Sequence, residues 1–590
     1  MKIKSPTIAI AIILITCVII DLDLKNWKKT EKVIEHDIHW YYGYLPAQFI
    51  YNDIELIKSD YQYGDNLYWF WTSQSADGKK IIKTTMGLSM LYAPFFFVAH
   101  AYALTSDYPK TGFSEPYKLF LLLSTLFYFL VGLDFVKKIL CHYSFSDAHI
   151  AITILLLGMG TNILCYASQS APMPHVYVFC LIAIFIYFTI KWYTVQSAIN
   201  TIVLGLLFGL ISLIRPSNVI IAFFFLLYNV TNWNDFKARI AFLIQKPMAI
   251  AGMLLLTFVV WIPQFLYWKI ITGNYISYSY NDEGFFFLQP HIMDGLFGFR
   301  KGWLLYTPIM AFAIGGIFLL KGELKKLRIS ISVFLILNIY IILSWWCWWY
   351  GGTYGQRSFI DSYALMALPL ASFVKVVSEK RWIIKIVFFC MAVFFIWLNI
   401  FQTYQIEFAS LHWDAMTKEL YFKQFGKLEK IKDFEKYLNY PDYELAKNGG
   451  EKMGSVIDVE KKTVLKKVKL KAANGKFVCA DQRKNNYLVA RSDNGWAWET
   501  FEIIYLNDSQ INLKASTGKF VSADHTVKDA IVANQPKAQA WEAFTLIMLE
   551  NNFVALKADN GKYLSVDKKT LQLSATSNTL GEQEKFELSY

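Results

Sequence analysis

Val468-Lys-Leu-Lys-Ala-Ala-Asn-Gly-Lys-Phe-Val478 recurs, little changed, as Ile511-Asn-Leu-Lys-Ala-Ser-Thr-Gly-Lys-Phe-Val521 and as Val554-Ala-Leu-Lys-Ala-Asp-Asn-Gly-Lys-Tyr-Leu564. The glycines Gly475, Gly518 and Gly561 stand 43 residues apart. Each copy alternates apolar and polar residues around an Asn-Gly or Thr-Gly pair, the pattern of a β-hairpin. Each closes on a shared phrase: Trp498-Glu-Thr-Phe501, Trp541-Glu-Ala-Phe544 and, without its Trp, Glu584-Lys-Phe586. One unit is too small to bury a core, but three around an axis share one. Residues 464–590 are therefore read as an all-β domain with Leu470, Leu513 and Leu556 in its core, together with the repeated phenylalanines and tryptophans.

Upstream the text is different. The 590 residues are 55% apolar and 18% charged, against about 25% charged in ordinary soluble domains. Twelve apolar runs account for this, near 1–20, 86–104, 117–136, 148–166, 174–193, 198–214, 217–230, 247–271, 303–320, 329–347, 358–374 and 382–401. Runs of this kind predict membrane-crossing helices. The first, behind Lys2 and Lys4, looks like a signal peptide but lacks a small-residue cleavage site, so it is read as an uncleaved span. Residues 402–463 turn polar and charged, a linker with helical signals around His412 to Lys427.

The net charge is +12, yet the cations lie between apolar runs, so membrane topology rather than nucleic acid explains them. One set of short loops holds fourteen, among them Lys137, Lys138, Lys191, Lys237, Arg239, Lys246, Lys325, Lys326, Arg328 and Arg381. The alternate loops hold five: Lys110, Arg215, Arg300, Lys301 and Arg357. The first set is expected to face the cytoplasm. A cytoplasmic N-terminus and an outer loop at Lys110 then require one run between them not to cross. Pro94 marks 86–104 as that run, re-entrant or interfacial. About eleven spans follow, with the C-terminus outside. The seven cysteines show no CxxC spacing, so neither a disulfide framework nor a zinc site is indicated.

Polar residues in so apolar a protein mark where chemistry happens. Three loops assigned to the outer side carry them: Glu35-His36-Asp37-Ile38-His39, Gly273-Asn-Tyr-Ile-Ser-Tyr-Ser-Tyr-Asn-Asp-Glu-Gly284 continuing to Gly298-Phe-Arg-Lys-Gly302, and Trp348-Trp-Tyr-Gly-Gly-Thr-Tyr-Gly-Gln-Arg357. Asp37 is a candidate proton acceptor, with Glu35, Asp53 and Asp65 in reserve; the bland alternative is a helix cap. Arg357, Arg300 and Lys301 are candidate anion binders, because a guanidinium fork pairs with phosphate oxygens. The alternative for them is snorkelling to headgroups. Arg215, before Pro216, is read as steadying a span end. His36, His39, His175 and His291 specify no metal site by their spacing. Trp345, Trp346, Trp348, Trp349 and Tyr350 form an aromatic cluster of the kind found at membrane interfaces.

Over 464–590 the Gly-Lys-Phe/Tyr repeats resemble the fascin-like β-trefoil family, which implies a scaffold or a carbohydrate-binding module. Over 1–400 the spans and outer loops resemble the GT-C class of polytopic glycosyltransferases, including its protein O-mannosyltransferase and aminoarabinose transferase branches. That resemblance implies an inverting transfer of sugar from a polyprenyl-phosphate carrier to a glycan, lipid or protein acceptor, in a bacterial inner membrane with the trefoil in the periplasm. Asp37 would be the base, and Arg357, Arg300 and Lys301 would hold the donor phosphate. Some members use a divalent ion and others none, so the metal stays open; no other cofactor is implied. The competing readings are a transporter or flippase of a glycan or lipid precursor, which predicts repeats among the spans, and a membrane-anchored binding protein, which leaves most of the spans unexplained.

Overall fold

A computed structural model describes residues 4–30, 32–56, 73–75, 78–281, 283–447, 449, 466–481, 486–493, 497–505, 510–524, 527, 529–535, 542–549 and 553–589. Asp65 and Trp541 lie outside the described residues. The chain divides into two units, Met1–Glu451 and Lys452–Tyr590.

The first unit is helical. Among the described residues, eight helices are long and apolar enough to cross a membrane: Ser5–Lys28, Gly87–Leu104, Glu115–His142, Pro174–Thr194, Pro247–Thr272, Gly322–Leu343, Arg357–Ser378 and Trp382–Glu407. Four shorter apolar helices accompany them: Asp147–Met159, Ala198–Ile214, Pro216–Leu226 and Ile309–Phe318. Eight helices of spanning length thus stand among the described residues where about eleven spans were expected, because four of the apolar runs give only shorter helices. Pro308 has no N–H to give and disfavours helix at Thr307 before it, so the 303–320 run breaks into Trp303–Tyr306 and Ile309–Phe318. The 148–166 run stops at Gly160 and resumes at Ile163.

Small residues set the helix contacts. Gly205 and Gly209 form a G-x-x-x-G face on the Ala198–Ile214 helix. A Cβ at Gly205 would meet the Met253 carbonyl oxygen at 2.8 Å, and one at Gly209 would meet the Thr257 Cα at 3.0 Å. Backbones approach this closely only where side chains are missing. Hydrogen bonds use the proximity: Thr257 Oγ1 donates to the Gly205 carbonyl (3.1 Å) and Trp261 Nε1 to Ser212 Oγ (3.0 Å).

The Gly87–Leu104 helix has a particular placement. Its first turn abuts the end of the Ala198–Ile214 helix, where a Cβ on Gly87 would lie 2.7 Å from the Ile214 nitrogen. Its other end meets the start of the Glu115–His142 helix, His100 Nδ1 lying 2.5 Å from the Tyr117 hydroxyl.

The second unit is all-β. Its strands are β1 (Lys466–Ala472), β2 (Phe477–Asp481), β3 (Tyr487–Ser492), β4 (Thr500–Tyr505), β5 (Gln510–Ala515), β6 (Phe520–Asp524), β7 (Ala530–Gln535), β8 (Ala543–Met548), β9 (Phe553–Lys557), β10 (Tyr563–Val566), β11 (Leu573–Ser577) and β12 (Phe586–Ser589). Six of them, β1, β4, β5, β8, β9 and β12, pair antiparallel in a ring that closes on itself. Closure removes the exposed edges. The remaining six form three hairpins, β2–β3, β6–β7 and β10–β11, joined pairwise at Tyr487–Val532, Ser574–Ala530 and Val489–Gln572. This is a trefoil-like arrangement. Leu470, Leu513, Leu556, Phe501, Phe544 and Phe586 are buried in it. Trp498 is not: it sits on a short 3-10 turn ahead of β4 and is 58% exposed, which removes it from the expected core.

The repeats differ at one lock. In the first and third, Asn474 and Asn560 donate across the turn to the Ala490 and Ala575 carbonyls (2.8 and 3.0 Å) and accept from the Lys476 and Lys562 N–H groups. The second repeat has Thr517, whose buried hydroxyl has no partner among the described residues. The matching acceptor, by the repeat spacing, is the Ala533 carbonyl. Thr517→Asn is expected to restore the lock and stabilise the unit by about 1 kcal/mol, seen as a raised midpoint in denaturant unfolding.

Candidate active site

The site is built on a backbone deflection. His36 has φ 48° and ψ −128°, a region that side chains avoid. The bend starts a helix at Asp37 that runs to Phe49. No side-chain cap closes this helix. Instead the Asp37 carboxylate accepts a hydrogen bond from Arg357, Nη2 to Oδ2 2.6 Å, across 320 residues of chain. Arg357 opens the turn that leads into the Tyr363–Ser378 helix. Its side chain is 12% exposed, whereas 34% of Asp37's surface is open. The guanidinium is under-used: among the described residues, Nη1 reaches only the Met173 sulfur at 3.8 Å, and the buried Nε has no partner. Free donors on a buried guanidinium are suited to a ligand oxygen.

Two further cations stand near the pair. Lys83 acts electrostatically on Asp37. Its ammonium is bonded to Glu283 and lies over the rings of Trp40 (4.9 Å) and Tyr280 (5.1 Å). Arg215 Nη2 donates to Ser358 Oγ, beside Arg357, at 3.1 Å. Its Nη1 lies 2.8 Å from His175 Nδ1 and 3.4 Å from Asp361 Oδ2. Asp361 also takes His175 (3.1 Å) and Asn218 (2.8 Å). This buried network fixes the turn that carries Arg357. Burial pushes the Asp37 carboxyl upward, but the charge and hydrogen bond of Arg357, helped by Lys83, outweigh it, leaving Asp37 below the usual carboxylate range.

Arg300 and Lys301 are placed differently. Arg300 Nη1 donates to the Asp414 carbonyl at 2.7 Å, and its guanidinium stands 5.7 Å from the Trp349 ring centre. The Lys301 ammonium bonds the carbonyls of Thr353 and Trp413. Burial drives its pKa well below the usual lysine range, with Asp414 opposing the shift. Both thus tie the 410–414 segment to the loop before Arg357. Glu35 faces Lys32 and His36; Asp53 is buried. Among the described residues, no group of three side chains able to hold a metal ion assembles. The aromatic run splits, Trp346, Trp348 and Trp349 being buried and Trp345 packing on Phe285 (4.7 Å).

Sequence reading missed Lys83, Arg215, Asp361 and His175 as parts of this site. Lys83 was visible as a cation beside the apolar run at 86–104. The others are single polar residues at span ends, and nothing in their spacing announces that they meet.

Comparison with known proteins reaches the second unit. Residues 474–588 match the model of the fascin domain family. The C-terminal unit is fascin-like. Its likenesses among solved structures are remote. The designed three-fold symmetric protein ThreeFoil is 18% identical over 21% of this chain and 98% of its own, TM-score 0.20. The Polyporus squamosus lectin bound to a human-type influenza-binding epitope is 11% identical over 22% of this chain and 50% of its own, TM-score 0.20. The exo-β-1,3-galactanase of Clostridium thermocellum is 14% identical over 22% and 31%, TM-score 0.19. The chain therefore spans half of that lectin and less than a third of that galactanase. A comparison with curated proteins returns no match.

Because Asp37 titrates below its ordinary value, the ion pair stabilises the fold above about pH 4 and is lost as pH falls through the lowered value. In nanodiscs, Asp37→Asn is expected to lower the melting temperature between pH 5 and 8. The gap should close below about pH 4. A gap unchanged at pH 3 would show that the pairing is not what Asp37 contributes.

Proposed function

We propose that the chain is a polytopic membrane glycosyltransferase of GT-C type, moving a sugar from a polyprenyl-phosphate donor to an acceptor on the outer face. The observation that carries this reading is the Asp37–Arg357 contact: an open carboxylate against a guanidinium with unused donors, with Lys83 nearby. Base and anion binder are what the transfer needs. The acceptor hydroxyl gives its proton to Asp37 as its oxygen attacks C1 of the sugar, and the bond from C1 to the phosphate oxygen breaks. The configuration at C1 inverts in this single displacement. Negative charge grows on the departing lipid phosphate, where Arg357 and Lys83 stabilise it. The ion pair also has a use before chemistry. A donor phosphate competes for Arg357, and the released carboxylate becomes a stronger base.

The topology belongs to the same proposal. His175, Arg215, Arg357 and Asp361 all stand at or within a turn or two of helix ends. These ends are ones that the loop charges assign to the outer face. Both ends of the unbroken Gly87–Leu104 helix touch helix ends of that same face, which supports a segment that lies at the interface instead of crossing, and with it a cytoplasmic N-terminus and an outer trefoil-like unit. That unit is assigned the part of a scaffold or glycan holder, with exposed Trp498 offering a stacking face.

The test is sugar transfer from labelled polyprenyl-phosphate sugar in proteoliposomes. Asp37→Asn is expected to cost at least 100-fold in kcat, and Lys83→Gln to raise the donor KM. Full activity in folded Asp37→Asn would overturn the base assignment. Movement of a glycolipid across the bilayer without turnover would replace the enzyme reading by the transporter.

A further inference from the structure

The Trp233–Ile244 helix stands apart from the rest of the first unit, for none of its residues is buried. It is fastened by one side only. Arg239 stacks on Tyr193, 3.8 Å from the ring centre, and its Nη2 donates to the Tyr228 carbonyl at 2.5 Å. Phe242 packs on Trp192 and Tyr193 at 5.9 and 6.0 Å. Helical spacing puts Trp233, Lys237, Ile240 and Ile244 together on another face. Trp233 is 66% exposed and Ile244 71%.

Three observations say what covers that face. The helix has 12 residues, about 18 Å at 1.5 Å each, too short to cross an apolar layer of about 30 Å. It ends two residues before the apolar Pro247–Thr272 helix, whose exposed Met248 continues the bare surface, so it lies where that helix enters the membrane. Its charge is basic: Lys237, Arg239 and Lys246 stand against Asp235. Asp235 is occupied, accepting from the Thr231 N–H (2.9 Å), the Thr231 hydroxyl (2.5 Å) and Asn232 Nδ2 (3.0 Å) at the helix start.

We propose that this helix lies in the membrane interface and binds anionic phospholipid, with Trp233, Ile240 and Ile244 at the boundary of the acyl chains and Lys237 and Lys246 against headgroup phosphates. An exposed Trp and two Ile beside a basic edge fit such a surface. Loss of the cations then loosens the helix in anionic membranes and leaves it unchanged in neutral ones, because only the charge attraction is removed.

The experiment uses the full chain in nanodiscs. Cys141 and Cys390, the exposed cysteines, are replaced by Ser, and a nitroxide is placed in turn at Ile240→Cys, Ile244→Cys and Ala238→Cys. Labels at 240 and 244 are expected to favour oxygen over a water-soluble nickel chelate, at a depth of roughly 5–10 Å. The label at 238, which faces away, should show the reverse. Lys237→Gln with Lys246→Gln should bring the 244 label toward water in discs with anionic lipid and not in phosphatidylcholine discs. Equal chelate access at all three positions would overturn the proposal by placing the helix in water. Labels at 240 and 244 that neither reagent reaches would overturn it in favour of a covering protein or second copy. Amide exchange of the unaltered chain gives an independent reading: residues 233–244 should exchange more slowly in anionic than in neutral discs, and equal rates would also count against the lipid.

Discussion

A membrane offers a buried charge two remedies, a partner or a place at the end of a helix. The first unit uses both at one spot. Asp37 and Arg357 are 320 residues apart in the chain and 2.6 Å apart in space. The largely buried Arg357 charge is met by the Asp37 carboxylate, so each loop is held to the other. Arg357 is in turn held through its neighbours, Ser358 and Asp361, by Arg215, His175 and Asn218. Lys301 and Arg300 fasten the preceding loop through backbone carbonyls. Five stretches of chain, at 37, 175, 215–218, 300–301 and 353–361, are thereby tied together. The open side of Asp37 and the unused donors of Arg357 are left for the ligand that the proposed function requires.

How much of this was legible depended on the range of the interaction. Local patterns were readable. Eight of the twelve apolar runs lie in helices of spanning length because hydrophobicity of that extent is a property of consecutive residues, and the hairpins follow from alternation around Asn474, Thr517 and Asn560. Helix breaks at Pro308 and Gly160 shorten what hydropathy alone would extend. Asp37 and Arg357 were singled out because charge is rare in such surroundings, but their pairing was not readable, since no spacing encodes a contact over that separation. The same limit hid Lys83, Arg215 and His175. The bonds of Arg300 to the Asp414 carbonyl and of Lys301 to the carbonyls of Thr353 and Trp413 were equally unreadable.

The fascin-like unit shows the opposite case, where repetition makes long-range order legible. Three copies of one phrase meet by symmetry, so closing the six-stranded ring needs no special pairing signal. Departures from the repeat then become informative. Trp498 stands outside the barrel although its phrase recurs, and Thr517 leaves a lock open that Asn474 and Asn560 close. A buried hydroxyl without a partner is a local cost that the other locks of the barrel absorb.

The proposed site requires Asp37 and Arg357 to meet on one side of the bilayer. The most direct measurement is cross-linking in native membranes with a short bifunctional maleimide, on a chain carrying Asp37→Cys and Arg357→Cys with Cys141 and Cys390 replaced by Ser. An intramolecular bridge is expected, formed by reagent supplied from the outer face and absent from either single variant. Independent reaction of the two cysteines with impermeant reagents added on opposite sides of the membrane would contradict it.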